Sequence, residues 1–432
     1  MTAAATKQKN VLPAWPVLAF FVGYPVAWVL GLAPFWIALA AVPMLAMLIV
    51  YRDIRFPKAF LPWALFWVFL LASALMLDEP LRLVGFGFRV GNYLGATIAF
   101  VYVYNAWQRL TVRKLAFGIL VFFLFVVAGG YLGVLFPTGE LQTPMSRLLP
   151  GALMDNEYVR DLVIPKFAQQ QTPWGSPVTF SRPSAPFPYT NGWGVNLALL
   201  LPFVLLAWTK LRTLRGKVLL AVALLAALVP ATATLNRGML LAVGAAFAYG
   251  AVRLLFKGDA RAFLALVVVS VIGVGILLAS GFTQQLELRQ TYSNTSDGRS
   301  RIYAETFEKT LQSPVLGYGA PRPSEHVDIS LGTQGHFWNV MFSHGLIALV
   351  MFEVFLILLV WGTRRLRSGA TLALHLVPVT GLVAHLYYGL DGPQLVLLLV
   401  GGALGLREAH RIRQQKGPPE REPEPELAEA TK

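Results

Sequence analysis

Apolar runs recur along the chain from about residue 15 to residue 406, separated by short polar connections that are mostly basic. A helix needs roughly 20 predominantly apolar residues to cross a bilayer. The pattern therefore predicts an all-α, polytopic membrane protein of about twelve transmembrane helices, near 15–31, 34–50, 59–77, 91–106, 115–136, 191–208, 218–235, 238–256, 262–280, 336–361, 371–389 and 394–406. The fourth and the twelfth are short. Two longer stretches interrupt the rhythm, at 137–190 and 281–335. Both mix prolines with aromatic and aliphatic residues, and loops of that length are commonly functional. TFSRPSAPFPYTNGWG closes the first loop as a stiff, turn-rich lead into the sixth span. In the second, RSRIYAETFEKTLQS reads as an amphipathic helix with Ile302, Phe307 and Leu311 at helical spacing, suited to lying on a membrane leaflet.

Composition sharpens the class. With 56% hydrophobic residues, 13% charged residues and a mean hydropathy of +0.59, the 432-residue chain cannot be a soluble domain. Alternate connections carry the bases: Arg52, Arg55 and Lys58; Arg109, Arg113 and Lys114; Lys210, Arg212, Arg215 and Lys217; Lys257 and Arg261; Arg364, Arg365 and Arg367. By the positive-inside rule these loops are cytoplasmic, as are both termini. The expected division is a cytoplasmic N-terminus (1–14), an integral membrane domain (15–406) and a cytoplasmic tail (407–432) whose GPPEREPEPELAEATK end has the composition of disorder. No cleavable signal pattern precedes the first span, which is expected to remain as an anchor. The net charge of +14 is then chiefly a matter of basic loops meeting anionic lipid headgroups, and no nucleic-acid role follows from it. The absence of cysteine excludes disulfides and thiolate chemistry.

The two long loops face outward in this topology, and the charge there is unusual. Of twelve basic residues placed outside, ten are arginine. The planar guanidinium fork matches phosphate oxygens and stays charged when partly desolvated, so an outward arginine cluster points to a phosphate ligand. Arg237, in the tight hairpin ATLNRGMLL between two spans, is the sharpest case, because charge there is costly unless it meets a polar cavity or a ligand. His336, in GTQGHFWNV, is a candidate base, histidine being suited to proton transfer near neutral pH. His344 reads as packing and His326 as solvated. Asp297, Glu305 and Asp391 are candidate acidic partners, and Glu353 is an acid inside an apolar span that functions or pairs with a neighbouring span.

Three stretches in order resemble the O-antigen ligases and O-antigen polymerases: TLNRGMLLAV, SDGRSRIYAETFEKTLQSPVLGYG and GHFWNVMFSHGLIALVMF. The resemblance implies a GT-C-like fold and an inverting, metal-independent glycosyltransferase without cofactor. Such an enzyme moves a glycan from undecaprenyl diphosphate to a lipid or glycan acceptor, at the outer face of the bacterial inner membrane. It implies that Arg237 and Arg299, with Arg182 and Arg301, hold the diphosphate and that His336 activates the acceptor hydroxyl. Phe337 follows His336 where the family has asparagine, and alignment on Gly345-Leu346 would place Gln334 at the family histidine. A shift of two residues is about 200° of helix, so His336 requires irregular backbone before the span, which Gly332 and Gly335 permit. Whether the product is a ligated glycan or a polymer stays open. A lipid-linked oligosaccharide flippase is the rival from another class, although no internal repeat of the transporter kind is visible.

Overall fold

The computed structural model describes residues 11–173, 176–292, 295–326, 329–367 and 369–415. Helices take up 74% of the described residues, among which the only paired strands form one hairpin. The first five helices are α1 (Trp15–Leu30), α2 (Trp36–Tyr51), α3 (Phe60–Ala72), α4 (Pro80–Asn105) and α5 (Val112–Leu135). The first long loop then folds into α6 (Pro144–Leu148), α7 (Gly151–Met154), α8 (Glu157–Val163) and the antiparallel strands β1 (Ala168–Gln171) and β2 (Phe180–Pro183). Next come α9 (Thr190–Lys210), α10 (Leu214–Ala233), α11 (Arg237–Lys257) and α12 (Ala260–Ala279). The second long loop holds α13 (Phe282–Tyr292) and α14 (Thr295–Gln312), and α15 (His336–Thr363), α16 (Gly369–Ala384) and α17 (Pro393–Gln415) complete the chain.

A helix runs through each of the twelve apolar segments. Among the described residues, seven helical stretches are long and apolar enough to cross a membrane by themselves: Ala33–Tyr51, which takes in the whole of α2, together with α5, α9, α10, α11, α12 and α15. Local chemistry sets many boundaries. The side chains of Thr111, Thr213, Asn236 and Asp259 each accept a backbone N–H of the first turn that follows, satisfying donors that a helix start leaves open. Helices α9 and α17 form the buried centre, with α4, α5, α15 and α16 around them, whereas α12 contributes no buried residue to the core.

Two boundaries and one buried face differ from the sequence expectation. Helix α4 begins at Pro80, well before residue 91, because Arg82 and Arg89 lower the local hydropathy without breaking the helix; both reach carbonyls of the 319–321 loop. Helix α17 continues to Gln415, into the stretch assigned to the tail. Arg407 is buried there and donates to Val103 O (3.3 Å) and Leu110 O (2.9 Å), clamping the end of α4. The GPPEREPEPELAEATK end lies outside the described residues. Helix α14 does not pack through the expected stripe. It buries Ile302, Glu305, Thr306 and Thr310, and leaves Phe307 and Leu311 half exposed.

Candidate active site

The Asn-Arg-Gly turn before α11 is built for close approach. Asn236 Oδ1 caps the helix by accepting from Met239 N–H at 3.2 Å. The Tyr388 hydroxyl hydrogen-bonds the same oxygen and lies so near the backbone that a Cβ at Gly238 would sit 2.4 Å from it. Glycine after the arginine is therefore a packing requirement, and Arg237 leaves the first turn of α11 exposed.

Around it gather three more arginines. Arg182, on β2 and only 6% exposed, donates from Nε to Thr234 O at 2.7 Å and from Nη1 to Gln171 Oε1 at 3.1 Å. Arg289, on α13, donates from Nη2 to that same amide oxygen at 2.9 Å. Burial, then the charges of Arg289 and Arg299, lowers the Arg182 guanidinium to about 9, against a smaller opposing effect of Tyr388. Burial, then Arg237 and Arg299, likewise lowers Arg289. The guanidinium groups are thus close enough to repel one another, Arg289 against each of the other three, an arrangement that an anion relieves. Arg299 is half-buried. Arg301, two residues further on α14 and so about 200° around the helix, is exposed. The sequence reading passed over Arg289; its signal was present, as an outward arginine in a polar helical stretch.

His336 opens α15, and two backbone irregularities place it. Gly335 has φ 150° and packs where a Cβ would meet Leu386 O at 2.4 Å. Deeper in, α15 is broken at Gly345 (φ 86°, ψ 173°). The turn PVLGYG is wedged into the break: Tyr318 and Gly319 N–H groups donate to Phe342 O (3.0 Å) and Ser343 O (2.7 Å), and Leu346 N–H donates to Pro314 O (2.7 Å). The break at Gly345 supplies irregularity within the span itself, beyond that of Gly332 and Gly335 before it. Residues 336–344 form a separate half-helix, whose first N–H donates to His385 O and Tyr388 O at 2.8 and 2.9 Å.

The His336 ring is 1% exposed and both nitrogens are engaged. Nε2 meets the Tyr93 hydroxyl at 2.9 Å. Nδ1 lies 3.1 Å from Leu390 N–H and 3.3 Å from Asp391 Oδ1. The first contact requires a bare nitrogen and the second a protonated one, so gain of a proton at Nδ1 exchanges the amide for the carboxylate. The Asp391 side chain is about half exposed (52%) beside a small cavity lined by Arg89, Asn92, Tyr93, Leu390 and Leu395. Its packed surroundings disfavour charge, but the hydrogen bond and charge of His336, with the charge of Arg89, outweigh them and hold the carboxyl below its ordinary value. The turn 385–391 thus joins two centres, since the Tyr388 ring sits under the charges of Arg299 and Arg182 while its backbone holds His336.

Residues 222–340 match the family described as O-antigen ligase. That match supports the resemblance of this stretch to the O-antigen ligase and polymerase superfamily. No curated protein matches it. The O-antigen ligase match runs from within α10 to the first turns of α15, so it contains Arg237, Arg289, Arg299, Arg301, Asp297, Glu305 and His336, and excludes Arg182 and Asp391.

The other candidate residues fall elsewhere. Glu305 is 7% exposed and accepts from Ser324 Oγ (2.5 Å) and Glu325 N–H (2.9 Å), pinning these two loop residues to α14. Its oxygens are occupied in a structural role. The side chain of Asp297 lies outside the described residues. Glu353 pairs with His385 Nε2 at 2.7 Å, across from α15 to the end of α16. His344 is buried against Ser73 Oγ at 2.7 Å, and His326 is exposed. Among the described residues no group of three His, Asp or Glu side chains converges as a metal site.

Proposed function

We propose that this membrane protein is an O-antigen ligase-like glycosyltransferase that moves a glycan from undecaprenyl diphosphate to an acceptor hydroxyl at the outer face of the bacterial cytoplasmic membrane. The observation that carries the reading is the clustering of Arg182, Arg237, Arg289 and Arg299 into one group of mutually repelling charges, joined by a single turn to the His336–Asp391 pair. Both lie at helix starts or in the long loops, at the end of the bundle that charge bias assigns to the outside.

The chemistry follows from the charges. The acceptor oxygen attacks the anomeric carbon and forms the new glycosidic bond. The bond from that carbon to the diphosphate oxygen breaks, and the lipid diphosphate leaves with the electron pair. Attack opposite the leaving group inverts the anomeric centre. The diphosphate gains negative charge as it departs, and preorganised guanidinium groups act where charge develops. Hydrogen bonds to charged groups contribute about 1.5–3 kcal/mol each, so two or three that tighten in the transition state supply a metal ion's share. The acceptor proton passes to the His336–Asp391 pair, a step worth typically 10²–10⁴-fold; Asp391 is the member facing the cavity, and His336 stabilises it from behind. Confinement of this machinery to one end of the bundle favours transfer over flipping of the lipid.

The test is release of lipid diphosphate from a radiolabelled undecaprenyl diphosphate-linked glycan by reconstituted protein, with acceptor and EDTA present. Turnover is expected to survive EDTA and to be lost in Arg237→Ala, Arg299→Ala and His336→Ala. Near-normal turnover in both arginine variants, or movement of intact lipid without release, overturns the reading. A single capped product identifies a ligase and a ladder of repeats a polymerase.

A further inference from the structure

Gln171 and Arg289 stand apart from the residues that the family motifs supply. The hairpin register places Gln171 opposite Phe180. Phe180 packs with Leu235 and Phe282, with Leu286 against them. Phe282, Leu286 and Arg289 fall at i, i+4 and i+7 on α13, one helical face. That apolar seam seats α13 on the hairpin and delivers Arg289 to the Gln171 side chain.

What meets there is chemically lopsided. Two guanidinium groups donate to a single neutral amide oxygen, at 3.1 Å from Arg182 and 2.9 Å from Arg289. Arg182 is more than nine-tenths buried. Arg289 Nε is also buried, with no hydrogen-bond partner among the described residues. A structural arginine pair would be served by a carboxylate, whose charge-assisted bonds are roughly twice as strong as neutral ones. Glutamine satisfies the geometry and leaves the charge unbalanced. Burying an arginine beside its like without a counter-charge is costly, and the cost is recovered only when an anion arrives.

We propose that Arg289 and Arg182 form a second fork for the donor's diphosphate and that Gln171 is its placeholder, Oε1 standing where a phosphate oxygen binds and turning away on donor binding. This rests on the transferase reading, whose arginine cluster already includes both guanidinium groups, and adds their pairing into one fork and the part played by Gln171. Neutrality at Gln171 is the essential feature: a carboxylate there would close the fork permanently.

The experiment compares wild type with Gln171→Glu and Arg289→Ala, full length in vesicles of neutral phospholipid, by initial rates against donor concentration. Gln171→Glu keeps side-chain size and is expected to raise the donor KM about tenfold or more, with a smaller change in kcat. Arg289→Ala is expected to raise the same KM; Arg289→Lys, which keeps charge but loses the fork, replaces it if that variant does not elute as wild type. Inorganic pyrophosphate should inhibit wild type competitively with donor and Gln171→Glu more weakly. Wild-type donor KM in Gln171→Glu and in the Arg289 variant overturns the proposal. If Arg237→Ala and Arg299→Ala still abolish turnover, only this inference falls; if they too are active, the transferase reading falls with it. An effect of Gln171→Glu that appears only in vesicles containing anionic phospholipid, with donor KM unchanged, assigns the fork to a lipid headgroup and also overturns it.

Discussion

Substituting Gly345 by alanine tests how the site is positioned. The backbone there has φ 86° and ψ 173°, a region open essentially to glycine alone and costing other residues about 1–3 kcal/mol. A Cβ would in addition lie 2.3 Å from Val315 O and 2.5 Å from Val315 C, closer than packed atoms tolerate. Relief requires the 314–319 turn to withdraw, which endangers the three backbone bonds that join it to Phe342, Ser343 and Leu346. Each buried bond left unmade costs about 1–3 kcal/mol. With strain and one such bond, the loss is on the order of 2–6 kcal/mol. Should the helix instead straighten through the break, residues 336–344 would turn by about 100° per residue of register and carry His336 away from Tyr93 and Asp391. Either route predicts a shorter thermal half-life in detergent, followed by loss of monodisperse protein because such unfolding is irreversible, and lost transfer. Wild-type half-life together with wild-type turnover in Gly345→Ala would refute the argument that the wedged turn holds the site.

Glu305→Ala should leave the Glu325 amide without its acceptor and remove one partner of Ser324, costing about 1–3 kcal/mol; limited proteolysis should cut faster within 320–331, and unchanged cleavage would dismiss the pinning role. The Asp391 carboxyl is depressed in the folded state, so its contribution to stability is full above the ordinary carboxyl range near 3.9 and is lost as pH falls through the lower folded value. The stability difference between wild type and Asp391→Asn should therefore shrink as pH falls below about 4. A difference that persists undiminished to about pH 2 would contradict the depressed carboxyl.

Much of the plan was legible along the chain because it is written in local pattern. Apolar runs gave the helices, and an arginine at an otherwise apolar hairpin gave Arg237. Asp391 was visible as an acid in a turn, though what it faces was not. The rest depends on contacts between distant parts of the sequence. Gln171 meets Arg289 across 118 residues and Tyr93 meets His336 across 243, and periodicity holds no record of either pairing. Glu305 looked like chemistry because an acid beside an arginine motif is suggestive, yet its oxygens face a loop that only folding brings near. The break at Gly345 escaped notice for a different reason: hydropathy runs smoothly through HGLIAL, and a single glycine in a span does not announce a backbone reversal.

The hairpin that carries Arg182 suggests where this chain tolerates change in length. Its register pairs Gln169 with Arg182 and Gln171 with Phe180, and one residue inserted within either strand would turn Arg182 to the opposite side of the ribbon. Residues added between 172 and 179 would only lengthen the connection, at a small entropic cost that grows slowly with loop length. Relatives are therefore expected to vary freely in the number of residues at this tip while keeping a fixed count from the arginine to the start of α9. That tip is the natural place for lineages to acquire new contacts to differing glycans without disturbing the charged centre behind it.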